Sequence, residues 1–326
     1  MYILGIDGGG SKTRCILGDS KGNILADVSA GPSNHQVCGP EETRQVVKGL
    51  MDQALSQACL DRSKISYAFL GLAGADLAED FEMLYSLLDP VFDGIPYKIV
   101  NDVWLVMRSG TSKPWGAVCI CGTGSNSAAA NPDGQEAKLR SLGYELGNYG
   151  GGTDMGREAL YRAFRADEGT GPETSLTDHL PKIFGKDSMA DLVSAFYPSW
   201  GPDTYQRLKK VPPLVFKLAS EGDQVCQDIL IHMGSVLGEM TRGVIREVGM
   251  ENMDFHIVLG GSLFYGENPL FIDAFTLAVH RAAPKATIRL ARLAPVVGAY
   301  LYGLDALGIE TDKAIIENLR KSPGLE

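Results

Sequence analysis

Apolar residues fall in short runs broken by glycine turns at the start of the chain, and in helical stripes further along. Residues 2–7, Tyr-Ile-Leu-Gly-Ile-Asp, predict a strand that ends in three glycines, and residues 12–19 predict a second strand turning back from it. Through Ser20-Lys21-Gly22-Asn23 the chain enters a third strand, Ile24–Val28, which completes an antiparallel meander. The same order returns later. Ala117–Cys121 is an apolar strand, Gly122-Thr123-Gly124-Ser125 a glycine turn, and Asn126–Ala130 a strand again. Asn131-Pro132-Asp133-Gly134 then turns into a third segment near Gln135–Leu139, so pattern rather than identity is repeated.

Between the copies, Glu41–Cys59 places Val46, Val47, Leu50, Met51, Ala54, Leu55 and Ala58 at helical spacing, which predicts one buried stripe. Ile65–Leu72 reads as a strand ending in Gly71-Leu72-Ala73-Gly74, Phe81–Leu88 as a helix, Tyr97–Val100 as a strand and Val103–Ser109 as a helix. Residues 153–250 read as mostly helical, interrupted by Pro198, Pro202, Pro212 and Pro213. Phe255–Leu259 predicts a strand before Gly260-Gly261-Ser262, Pro269–Ala283 a helix, Ile288–Ala291 a strand and Pro295–Leu307 a last helix. Each half is thus a β-meander followed by alternating strands and helices, an α/β class. The boundary falls near Ser109–Trp115, at Gly110-Thr111-Ser112-Lys113-Pro114.

Composition narrows the function classes. The chain has 326 residues, 44 % hydrophobic and 21 % charged, enough apolar material for two cores. A net charge of −10 argues against a nucleic-acid-backbone binder, but leaves room for a small phosphate ligand held by local amides and a metal. No signal peptide precedes the first strand and no apolar stretch of about 18 residues occurs, so a cytoplasmic protein without a membrane span is expected. The six cysteines form no CxxC pair, and Cys119 and Cys121 sit in an apolar run as buried thiols. His179, His232, His256 and His280 lack metal-ligand spacing and read as structural or solvated. Phe196-Tyr197-Pro198-Ser199-Trp200 reads as core packing rather than a partner surface.

The chemistry concentrates in the two hairpins. Asp7 at a strand end, followed by Gly8, Gly9 and Gly10, lets backbone amides approach phosphate unobstructed, while Asp7 can hold Mg²⁺ through water. Thr13 can add a hydroxyl to the phosphates and Lys12 a charge. A P-loop is excluded because Ser11 stands where a glycine should precede Lys12, and a dinucleotide fingerprint because a strand rather than a helix follows. An ordinary tight hairpin is the alternative for this loop taken alone. A second such loop, Cys121-Gly122-Thr123-Gly124-Ser125, favours a pair that clamps one triphosphate, and bare backbone at Gly260-Gly261-Ser262 suits adenosine.

The ordered set Ile6-Asp7-Gly8-Gly9-Gly10-Ser11-Lys12-Thr13, Gly71-Leu72-Ala73-Gly74, Asn101-Asp102, Gly122-Thr123-Gly124-Ser125 and Gly260-Gly261-Ser262 resembles the BadF/BadG-type ATPase family, over nearly the whole chain. The resemblance implies two actin- and ribonuclease-H-like α/β domains with a nucleotide cleft between them. They would span residues 1–112 and 113–294, the second with a helical insertion, and the last helix near 295–310 would pack back on the first. Within the family the likeness is greatest to its N-acetylglucosamine kinase branch. Gly31-Pro32-Ser33-Asn34-His35 resembles that branch's sugar-binding loop.

The resemblance implies ATP and Mg²⁺ as cofactors, a sugar acceptor and a homodimer. Asp102 becomes the catalytic base, with Asn34, His35, Asn101, Ser141, Leu142, Gly143 and Asn148 around the sugar. Residues Gly8 to Thr13, Gly122, Thr123, Gly124, Gly260, Gly261 and Ser262 would hold the nucleotide. The branch's Leu-Gly-Asp-Glu-Gly-Ser is here Leu146-Gly147-Asn148-Tyr149-Gly150-Gly151, so a carboxylate becomes an amide, and Glu145 is a nearby replacement. Two rivals remain: an activator ATPase coupled to an iron–sulfur cluster, which needs exposed cysteines, and a sugar sensor without catalysis.

Overall fold

The computed structural model describes residues 1–197, 204 and 207–326, so Pro198, Ser199, Trp200 and Pro202 lie outside the described residues. The chain divides into two units, Met1–Val118 with Arg289–Glu326, and Cys119–Ile288.

The first unit holds a sheet in the order β3-β2-β1-β4-β5. Its strands are β1 (Tyr2–Gly8), β2 (Thr13–Asp19), β3 (Ile24–Ala30), β4 (Ile65–Leu72) and β5 (Tyr97–Val100). The first three pair antiparallel; β4 runs parallel to both β1 and β5. One face carries Leu4, Ile6, Cys15 and Leu17 against α2 (Pro40–Ala58), whose Val47, Leu50, Met51 and Ala54 are buried, and against α3 (Ala78–Phe92). Helix α3 is longer than its sequence pattern predicts and runs through Pro90, because Val91 and Phe92 beyond it are themselves buried in the core.

The opposite face carries Ile3 and Ile16 against Val297, Tyr300, Leu301 and Leu304 of α11 (Pro295–Ala306). Helix α11 also crosses α4 (Val103–Gly110) so closely that a Cβ on Gly298 would strike the Leu105 carbonyl. Arg108 of α4, fully buried, bridges to Asp305 of α11 at 2.6 and 2.9 Å and donates to Thr311 Oγ1 at 2.8 Å. Removing one partner of such a buried pair typically costs about 3–5 kcal/mol, so the bridge fixes how α4 sits. Two elements escape the hydrophobic reading. One is α1 (His35–Cys38), a single turn; the other is α12 (Lys313–Lys321), which buries only Ile315 and Leu319.

The second unit holds a sheet in the order β10-β9-β6-β7-β8, comprising β6 (Gly116–Cys121), β7 (Ser125–Ala130), β8 (Glu136–Lys138), β9 (His256–Gly260) and β10 (Thr287–Leu290). Strands β6 and β10 straddle the division of the chain. Its helices are α5 (Gly152–Asp167), α6 (Leu176–Ile183), α7 (Met189–Phe196), α8 (Pro212–Ser220), α9 (Gln224–Glu247) and α10 (Pro269–His280). Helical structure is broken over 209–211, and Pro212 and Pro213 open α8 beyond the break, where a missing N–H is harmless. No described helix is long and apolar enough to cross a membrane.

Candidate active site

In the first unit three turns meet at one end of the sheet. Gly8 O accepts from Ala73 N (2.8 Å), and Gly9 O accepts from Ser33 N (3.1 Å) and Asn34 N (3.3 Å). The hairpin is therefore bonded both to the Gly71–Gly74 turn and to the Ser33-Asn34 loop. Asn34 caps α1 through Oδ1 to Gln36 N at 2.9 Å. Gly74, at φ +88°, leaves no room for a Cβ, which would lie 2.6 Å from that oxygen. His35 Nε2 lies 3.1 Å from Asp80 Oδ1. Burial alone would raise Asp80, but the Leu77 and Asp76 amides and His35 hold it below its usual range.

Two of the expected ligand residues are hydrogen-bonded within the fold. Thr13, assigned to phosphate, is fully buried, with its hydroxyl 2.8 Å from Gly31 O and 2.8 Å from Ser33 Oγ, so it fastens the loop. Asn101, assigned to sugar, is buried and fully engaged: Oδ1 caps α4 at Val103 N (3.1 Å), and Nδ2 donates to Ala75 O (3.3 Å) and Asp76 Oδ1 (3.0 Å). Because Asn101 supplies the cap, the Asp102 side chain makes no cap hydrogen bond. Gly10, Ser11 and Lys12 lie exposed at the hairpin tip.

Asp7 and Asp102 interact. Burial, and then the Asp102 charge, raise Asp7 to about 7, while Arg14 acts in the opposite sense. Two carboxylates in a poorly solvated place resist carrying two charges, and a divalent cation relieves that repulsion. Among the described residues no group of three or more His, Cys, Asp or Glu stands close enough to hold a metal alone. A hydrated Mg²⁺ shared with phosphate needs only one or two carboxylates, so the donor set fits it.

In the second unit the equivalent hairpin is gripped by two loops. Gly122 O accepts from Gly152 N (2.7 Å) and Thr123 O from Thr153 N (3.3 Å), at the first turn of α5. Gly151 (φ +100°) and Gly261 (φ +90°) lie so close that a Cβ on either would strike the hairpin backbone. Asn148 Nδ2 donates to Ser125 O at 3.1 Å, which leaves Oδ1 buried without a hydrogen-bond partner among the described residues; Ser141 Oγ is in the same state. Ser141 also has φ +54°, a conformation a serine seldom adopts. Both line a cavity of about 340 Å³ with Thr123, Gly143 and Glu145, whereas the Leu142 side chain is half exposed.

A larger cavity, about 590 Å³, adjoins the hairpin at Gly122 and Thr123 and reaches Ser262. Phe216 and Pro213 of α8 and Tyr265 supply its apolar walls; Lys209, Ser220 and Glu267 supply polar ones. Sequence reasoning found Gly122, Thr123 and Ser262 but missed the rest, which share no motif and meet only because α8 packs beside the segment after β9. Cys119 and Cys121 are free and fully buried, and burial raises both thiols, which disfavours a cluster-bridging pair.

The family model for the BadF/BadG/BcrA/BcrD ATPase family matches residues 4–303. The chain is 29 % identical over 316 residues to N-acetyl-D-glucosamine kinase of Dictyostelium discoideum, covering 93 % of this chain and 98 % of that one. It is 28 % identical over 291 residues to N-acetylmuramic acid/N-acetylglucosamine kinase of Clostridium acetobutylicum, covering 88 % and 93 %. A solved Chromobacterium violaceum structure with a provisional N-acetylglucosamine kinase name superposes with a TM-score of 0.65 at 23 % identity, over 92 % of this chain and 98 % of that one. The fold is that of actin- and hexokinase-like sugar kinases. The chain belongs to the BadF/BadG/BcrA/BcrD ATPase family, and ATP is its nucleotide.

Proposed function

We propose that this protein is an ATP-dependent kinase that transfers the γ-phosphoryl group to a hydroxyl of an N-acetylated amino sugar, with N-acetylglucosamine the first candidate. The observation that carries the reading is the Asp7–Asp102 pair. One carboxylate stands at the hairpin and is raised to about 7, and the other, at the head of α4, supplies the charge that is the second cause of that rise. The names of the two curated relatives support the acceptor class.

In this reading Asp102 accepts the proton of the attacking hydroxyl, a contribution of about 10²–10⁴-fold to rate. Gly9 N and Gly122 N are spent inside their hairpins on Lys12 O (3.0 Å) and Gly124 O (2.9 Å), so the candidate donors to phosphate oxygens are the amides of Gly10, Thr123 and Gly124, and Lys12 and Ser11 stand at the exposed tip of the first hairpin. Mg²⁺, held through water by Asp7, would neutralise charge on the phosphates. Adenosine takes the cavity walled by Phe216 and Tyr265, against Gly260, Gly261 and Ser262. Asn34 and His35, whose Nδ1 has no hydrogen-bond partner among the described residues, are candidate sugar-binding residues of the first unit; Asn148, Ser141 and Gly143, which line one cavity, are those of the second. One Asn148 Nδ2–H is committed to Ser125 O, so a sugar hydroxyl can meet the Oδ1 acceptor and the second N–H.

The test is a panel of N-acetylglucosamine, N-acetylmuramic acid, glucosamine and glucose with ATP and Mg²⁺, followed as ADP release. Transfer to an N-acetylated sugar is expected, falling about 10²-fold or more in Asp102→Asn with little change in either KM. ADP release that no sugar stimulates would sink the proposal.

A further inference from the structure

A second cavity, about 430 Å³, shares Tyr144, Asp154 and Arg157 with the cavity of Asn148 and Ser141. Its size is that of a small-molecule site, typically about 300–1,000 Å³. One wall is the face of α5 that presents Asp154, Arg157, Glu158 and Tyr161, spaced as neighbours on a helix surface; α9 contributes His232. Tyr144 meets Tyr149 edge-on with ring centres 6.2 Å apart, and Tyr149 leans on His232 at 5.4 Å. Tyr161 is 57 % exposed, with Arg165 over its ring.

The charges on this wall cancel locally. Asp154 pairs with Arg157 (3.4 Å) and Glu158 with Arg162 (2.7 Å), so an ionic ligand finds little uncompensated charge. What the wall offers is aromatic surface edged with hydrogen-bonding groups. The Tyr149 hydroxyl, buried without a partner among the described residues, is one polar group still unsatisfied. Aromatic faces bordered by polar groups suit a neutral pyranose, whose C–H face packs on a ring while its hydroxyls bond at the edges.

We propose that this cavity is a second carbohydrate subsite, which takes a neutral sugar ring attached to the phosphorylated one, so that the acceptor is an N-acetylated disaccharide. The inference rests on the kinase reading above, since the first ring must occupy the adjoining cavity. It assigns Tyr161 and His232 to acceptor selection, positions with no part in binding the first ring.

The experiment compares N-acetylglucosamine with its β-1,4-linked disaccharide, di-N-acetylchitobiose, in the wild type, Tyr161→Ala and His232→Ala. In the wild type the disaccharide should have the higher kcat/KM. Each variant should lower kcat/KM for the disaccharide by roughly tenfold and leave the monosaccharide within about twofold. Both side chains reach the surface, and a monosaccharide rate that is retained certifies the fold. Turnover of the monosaccharide with little or none of the disaccharide overturns the subsite and leaves the kinase reading standing. Equal losses on both acceptors also overturn it. Transfer to neither sugar also overturns the subsite, while the kinase reading falls only if no sugar of the four-sugar panel accepts phosphate.

Discussion

The two glycine hairpins share a topology and differ in chemistry. In the first, Asp7 stands at the end of β1 and burial with Asp102 raises it to about 7. In the second, the matching position is Cys121, a neutral thiol buried behind Gly261. The first hairpin is fastened by its own carbonyls, Gly8 O to Ala73 N and Gly9 O to Ser33 and Asn34 N, which leaves the tip from Gly10 to Lys12 exposed. The second is gripped by Gly151 and Gly261 and by the start of α5. A repeated backbone shape can therefore hold different chemistry: one copy keeps a buried carboxylate, the other is a fixed hairpin beside a cavity of about 590 Å³.

The largest effect expected from that contrast is on metal dependence. Asp7→Asn should lower kcat about 10²-fold or more and abolish the rise in melting temperature that Mg²⁺ with ADP gives the wild type. Cys121→Ala should keep both to within a few-fold. Equal sensitivity of the two positions would break the comparison.

The next effect is on stability. Gly261→Ala forces a left-handed residue into contact with the Cys121 carbonyl and should destabilise by about 1–3 kcal/mol in urea unfolding. At Gly124 a Cβ meets nothing within 4 Å, so Gly124→Ala should fold normally and show its effect in a raised KM for ATP. Normal stability in Gly261→Ala would mean the second hairpin is not gripped.

The smallest effect sharpens the contrast through pH. Beside the first hairpin Asp80 titrates below its ordinary value of 3.8, so its stabilising effect is present above that value and is lost as pH falls through the lower folded value. Beside the second, Asp154 is raised: burial comes first and Glu145 adds to it, against the Gly150 amide and Arg157. Its contribution is therefore present below 3.8 and lost as pH rises through the higher folded value. The melting temperature of Asp80→Asn minus wild type should fall between acid and neutral pH, and that of Asp154→Asn minus wild type should rise. Parallel slopes would remove the electrostatic part of the contrast.

By itself the sequence determined the strands, the long helices and both hairpins. Alternating or helically spaced apolar residues and glycine runs are local signals, and the ends of β5 and β4 follow them residue for residue. It also pointed to Asp7, Asp102 and Asn148, since their motifs are contiguous. Tertiary structure alone decided which polar groups are spent. Thr13 and Asn101 look like ligand contacts in a motif, yet their hydrogen bonds go to residues up to 26 positions away, which no local pattern records. The same holds for the cavity walls from Phe216, Tyr265, Tyr161 and His232, and for the Arg108–Asp305 bridge that fixes α4 beneath Asp102. Hydrophobic spacing is written along the chain because each element must bury its own face; the partner of a polar group is written only in the packing.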